Sequence, residues 1–106
     1  KLNFKYVSTY DIKLLNHNFA SIDFMKIKEP LILRKPQSKD YFYPTGMQGK
    51  KSVSKYFKDE KYSIYDKENQ WLLVSNKDIV WIIGKRLDSR FAASNKSIKV
   101  LEIKCF

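Results

Sequence analysis

A glycine-bearing turn that runs into a helix start is the stretch of this sequence best suited to chemistry. In Gly46-Met47-Gln48-Gly49-Lys50-Lys51, two lysines stand just before Ser52, a residue type that caps helices. Backbone N–H groups and ammonium charges at such a place converge on a point that suits a phosphate. The spacing is not that of a Walker A loop, and a Gly-x-x-Gly clamp needs a preceding helix, which Pro44 opposes. Phosphate binding and a purely structural turn both stand as readings. Arg86 and Arg90 flank Asp88 after Gly84, where they either grip RNA or tie the loop through bidentate bonds to a carboxylate. Tyr41-Phe42-Tyr43 lies near lysines, so its rings either stack on unpaired bases or pack in the core. Alternation sends Phe42 one way and the two tyrosines the other. Trp71 and Trp81 sit in apolar runs and are read as packing.

Other chemistries find little support. His17, in Asn16-His17-Asn18, is the sole imidazole and Cys105 the sole thiol, so no intrachain disulfide and no Cys/His zinc site can form. The histidine reads as a surface loop residue, and the cysteine as a small hydrophobe at the end of a last strand. Asp59-Glu60 and Asp66-Lys67-Glu68 imitate a carboxylate pair or a metal site, but their neighbouring lysines describe a solvated, ion-paired face. No catalytic residue and no metal ligand is assigned.

Charge supplies the positive clue. Twenty-one Lys and Arg against 11 Asp and Glu leave a net charge of +10 on 106 residues, a balance that suits a polyanion. Eight of the basic residues fall between Arg34 and Lys61, against three acids, so half of the excess sits in about a quarter of the chain. With 43% hydrophobic and 15% aromatic residues, the composition is that of a globular domain. No apolar run approaches the roughly 18 to 20 residues of a bilayer span. The low cysteine usage suits a reducing, cytoplasmic setting. The start at Lys1 reads as a piece cut from a longer protein, with residues 1–106 forming one domain.

These residues need elements to position them. Asn3–Val7 and Phe19–Ile22 alternate as strands, Asp23 caps a single turn over Phe24–Ile27, and Leu31–Arg34 reads as a short buried strand. Lys35–Lys51, punctuated by Pro36, Pro44, Gly46 and Gly49, must be a long structured loop. Beyond Ser52, the residues Val53, Tyr56 and Phe57 recur at helical spacing and form an apolar face. Lys51, Lys55 and Lys58 form a lysine stripe nearly opposite. Ser63 caps a further turn through Ile64–Lys67. Trp71–Val74 and Ile79–Ile83 form a hairpin around Ser75–Asp78, and Ile98–Ile103 closes the chain as a strand. The class is α+β.

The stretch from Arg34 to Phe91 resembles a known family. Leu33-Arg34, then Asp40-Tyr41-Phe42-Tyr43-Pro44-Thr45-Gly46-Met47-Gln48-Gly49-Lys50-Lys51, then Ser54–Lys61 and Ile79–Phe91 are similar to the C-terminal domain of bacterial tRNA(Ile)-lysidine synthases. Lys39 stands where that family usually has Gly, and Lys67 where it commonly has Arg. The resemblance implies a small three-layer domain with an unusual β-sandwich and one or two short helices, of a type shared with the phenylalanyl-tRNA synthetase β chain. It implies an enzyme that uses ATP to join lysine to the wobble cytidine of an isoleucine tRNA. ATP and Mg belong to an N-terminal domain with a Ser-Gly-Gly-x-Asp-Ser loop, which this sequence lacks. The part implied for this chain is to hold the tRNA, at its acceptor stem, beside the enzyme's N-terminal domains. No cofactor is expected here. Arg34, Lys35, Lys39, Lys50, Lys51, Lys55, Lys58, Arg86 and Arg90 are the candidate RNA and phosphate contacts. The competing readings are an interdomain scaffold and a general RNA-binding module without tRNA specificity.

Overall fold

The computed structural model describes residues 2–7 and 18–105; His17 lies outside them. Three layers follow from one sequence feature, the apolar run on both sides of Asn76-Lys77. Strands β6 (Leu72–Ser75) and β7 (Asp78–Ile82) are buried at almost every position, as strands covered on both faces must be. They form the middle of a sheet ordered β3-β6-β7-β8, with β3 spanning Leu31–Arg34 and β8 Arg86–Leu87. Asn76, at φ 56°, supplies the left-handed residue of their turn. A bulge shifts the register between Leu73 and Val74.

On one face of this sheet, Leu73, Val80 and Trp81 pack against Ala20, Ile22, Leu101 and Ile103. Those four come from a second sheet, β1 (Leu2–Val7), β9 (Val100–Cys105) and β2 (Phe19–Asp23), antiparallel with β9 central. On the other face, Leu72, Val74, Ile79 and Ile82 meet Phe42, Val53, Tyr56 and Phe57. These belong to the short ribbon β4 (Tyr41–Phe42) with β5 (Lys51–Ser52), and to helix α1 (Val53–Asp59). The apolar helical face expected from the sequence is therefore the third layer.

Local signals hold in detail. Ser52 caps α1 by accepting from the Lys55 N–H at 3.1 Å. Ser63 and Asp66 form a reciprocal capping box on α2 (Ile64–Glu68). Asp23 accepts from the Met25 N–H ahead of the 3-10 turn Phe24–Lys26.

Some expectations fail: the stretch read as a loop, Lys35–Lys51, contains β4 and the start of its partner β5, and the last strand begins at Val100 with Ile98 exposed ahead of it. The strand Leu31–Arg34 is an edge strand with Ile32 and Leu33 exposed. Trp71 precedes β6 instead of lying in it and is 47% exposed, whereas Trp81 is buried. Lys51 belongs to β5, before α1 begins, so it is no member of a helical lysine stripe. Cys105 ends the last strand and packs on the edge of the first core cluster, as a small hydrophobe would.

Candidate nucleic-acid interface

Two carboxylates organise the loop that carries most of the candidate residues. Asp40 receives both arms of the Arg34 guanidinium, at 2.9 and 2.8 Å, and the Gln37 N–H at 2.7 Å. Burial alone would raise its pKa, but those bonds and the guanidinium charge hold it below the ordinary carboxylate value. Asp88 is fully buried. It accepts from the Tyr43 N–H at 2.9 Å and the Arg90 N–H at 2.7 Å, and the Arg90 side chain clamps it from outside.

Backbone bonds stitch the same two segments together, from Thr45 N–H to the Leu87 carbonyl at 3.0 Å and from Ser89 N–H to the Tyr43 carbonyl at 2.7 Å. Arg86 adds a bond to the Thr45 carbonyl at 2.8 Å, beneath the turn that Gly46 enters at φ 77°. Burial, and then Glu60, raise the pKa of the nearby Tyr56, with the Arg86 charge pulling the other way.

Arg34 and Arg90 therefore spend their forks on carboxylates inside the chain, and Arg86 one donor on the Thr45 carbonyl. Of the two readings of Arg90, the bidentate tie to a carboxylate is the one the geometry contains.

The lysines divide into two groups. Lys51 is withdrawn, its side chain 14% exposed, and pairs with Asp59 at 2.7 Å; its ammonium bond is the leading cause that lowers the Asp59 pKa. The Val53 N–H is taken by the Asp40 carbonyl and the Lys55 N–H by Ser52. Lys51 and these helix-start donors thus serve the fold. Lys35 bonds the Glu68 carbonyl and sits 4.5 Å from the centre of the Trp71 ring.

Lys39, Lys50, Lys55 and Lys58 are exposed. In chain order, Lys39 lies just ahead of β4, Lys50 just ahead of its partner β5, and Lys55 and Lys58 on the helix that β5 leads into. Between them Tyr41 is exposed, with Lys50 Nζ 4.4 Å from its ring centre, while Phe42 is buried and Tyr43 is half-buried under Arg90 at 4.3 Å. Lys50 and Tyr41 thus set an ammonium group against an exposed aromatic face, a pair able to meet a phosphate and a stacked ring.

Asp40 was not singled out from the sequence, though its offset of six from Arg34 across a proline-containing turn was available. Among the described residues, no group of three His, Cys, Asp or Glu is placed to hold a metal ion, and no helix is long and apolar enough to cross a membrane.

No family model matches the chain. The tRNA(Ile)-lysidine synthase of Parabacteroides distasonis is 42% identical to it over 98 residues, which is 92% of this chain and 22% of that protein. The chain is homologous to part of the tRNA(Ile)-lysidine synthases. The enzyme of that name from Bacteroides thetaiotaomicron is 43% identical over 82 residues, 77% of this chain and 19% of that protein. The Caldanaerobacter subterraneus enzyme is 33% identical over 81 residues, 76% of this chain and 17% of its own length. The chain thus spans about a fifth of the length of the curated relatives it matches. A crystal structure of a TILS C-terminal domain aligns with a TM-score of 0.84 at 18% identity, over 97% of this chain and 80% of that one. The chain has the fold of that domain.

Proposed function

We propose that this chain is the C-terminal, tRNA-holding domain of a cytoplasmic tRNA(Ile)-lysidine synthase. That enzyme would join lysine to the wobble cytidine of an isoleucine tRNA at the expense of ATP. The observation that carries the reading is 42% identity across 92% of the chain to a protein of that name. In this reading the domain does no chemistry: ATP and Mg are handled elsewhere in the enzyme, and the sequence here has no Ser-Gly-Gly-x-Asp-Ser loop. Lys39, Lys50, Lys55 and Lys58 supply affinity through phosphates, the acceptor stem being the part of the tRNA held, while Arg34, Arg86 and Arg90 shape the loop that presents them. Lys35 and Lys51, held by the Glu68 carbonyl and by Asp59, contribute less.

The scaffold reading has one specific observation in its favour, the commitment of all three arginines to intramolecular bonds. Titration of the 106-residue chain with isoleucine tRNA across a salt series separates the two. Holding predicts an affinity that falls steeply with salt, and changing Lys39, Lys50, Lys55 and Lys58 together to Gln flattens the slope by roughly 0.7 to 0.9 for each phosphate contact removed. A scaffold shows no such binding. Incubation of the chain with ATP, lysine and tRNA should yield no lysidine.

A further inference from the structure

Four exposed apolar side chains, those of Phe4, Leu33, Tyr65 and Trp71, share one groove. Leu2 and Phe4 of β1, Leu33 of β3, Tyr65 of α2, Trp71 and Cys105 line a groove of about 800 Å³. It opens where β1 ends one sheet and β3 ends another. Helix α2 buries none of its own side chains, and Ile64 and Tyr65 are 75% and 73% exposed. Such a helix is held by its caps and turns its apolar residues outward. A contiguous apolar surface of this kind marks a contact with another protein surface.

Charge argues against RNA as the occupant. The charged groups in the lining are Glu60, Asp66 and Lys85, and with Lys35 over the Trp71 ring the groove is balanced at two carboxylates and two ammonium groups in a chain whose net charge is +10. Lys35 already occupies the neighbourhood of the Trp71 ring. In the Parabacteroides distasonis relative, the matched stretch is only 22% of the polypeptide. A covalently tethered neighbour meets such a groove at up to millimolar effective concentration and needs only a modest contact area.

We propose that this groove docks another part of the same lysidine synthase polypeptide, an apolar segment flanked by basic residues that answer Glu60 and Asp66. The proposal rests on the reading of the chain as one domain of that enzyme. Its test compares the 106-residue chain with a chimera in which this chain replaces the matching stretch of the Parabacteroides distasonis enzyme. The readouts are hydrogen exchange over residues 31–34 and 64–68, and alkylation of Cys105 by N-ethylmaleimide followed by mass spectrometry.

Docking predicts that both slow by about tenfold or more in the chimera, and that Leu33→Ser with Tyr65→Ser in the chimera restores the rates of the chain alone. If the chimera does not fold, the same protection must appear when the chain is added in trans to the enzyme truncated of that stretch. Equal rates with and without the rest of the enzyme overturn the proposal. So does protection of the groove in the chain alone by tRNA, or by self-association seen in sedimentation. Failure of the chain to bind tRNA would sink the tRNA-holding role and leave groove protection unchanged, so the two failures are distinguishable.

Discussion

Arg90 closes over Asp88 with Nε 3.1 Å from Oδ1 and Nη2 2.9 Å from Oδ2, while the carboxylate itself has no contact with solvent. The pair holds two segments at once, because the same carboxylate receives the Tyr43 N–H from the loop and the Arg90 N–H from the turn. Removing one partner of a buried pair strands the other, so Asp88→Ala should destabilise the chain by about 3 to 5 kcal/mol. Arg90→Lys keeps the charge but loses the fork, and should fall between wild type and Asp88→Ala. Urea denaturation monitored by tryptophan fluorescence orders the three. Equal stability of all three would mean that the loop is held by packing alone.

The Arg34–Asp40 pair makes a pH prediction. The folded carboxyl lies below its ordinary value, so the unfolded chain binds more protons than the folded one in the acid range. The stabilisation is therefore complete above the unfolded value and is lost as pH falls through the folded one. Asp59 and Asp66 are lowered too and act in the same direction. Melting temperature should be flat towards neutral pH and decline below about pH 4. Asp40→Asn should start lower and decline less, and a parallel decline would remove Asp40 from the account.

How much of this was legible depends on the range of the interaction that decides each feature. Ser52, Ser63 and Asp23 announce helix starts because a cap bonds two or three residues along the chain, and each does so here. The two-sided burial of Leu72–Val74 and Ile79–Ile82 was legible in their unbroken apolar runs, whereas Ser75, read as part of the turn, ends β6. Trp71 was not legible, because one residue decides whether it joins the strand or precedes it, and Lys35, which covers it, is remote in sequence. The lysine stripe failed at Lys51 for a similar reason: helical spacing was extended one residue past the cap, into a strand paired with Phe42. Arg34 and Arg90 could be named from sequence as guanidinium forks, but only the folded loop selects Asp40 and Asp88 as their partners.

Lys39 turns the loop with φ 72°, a conformation that strains side chains bearing a Cβ. The residue is exposed, so a smaller one disturbs no packing. Lys39→Gly should relieve the strain and, after the added freedom of the unfolded chain is set against it, stabilise by about 0.5 to 1 kcal/mol. The same change removes one of the four exposed ammonium groups. Tighter folding with weaker tRNA binding is the expected pair of results in thermal melts and salt titrations. A destabilised Lys39→Gly variant would show that the side chain contributes to the fold.

The two sides of α1 should separate stability from binding. Phe57 is buried against the middle sheet and stacks on Tyr62 with ring centres 4.4 Å apart, so Phe57→Ala should cost about 3 to 5 kcal/mol as a core truncation. Lys55 projects into solvent from the same helix, and Lys55→Gln should change stability by under about 0.5 kcal/mol while weakening tRNA binding. Lys51 supplies the internal control, since helical spacing would have grouped it with Lys55 and the geometry pairs it with Asp59 at 2.7 Å. Lys51→Gln should therefore lower the melting temperature more than Lys55→Gln and weaken tRNA binding less. If instead the two lysine variants lose tRNA affinity equally at unchanged stability, Lys51 leaves Asp59 to meet a phosphate, and the binding surface of the domain includes β5.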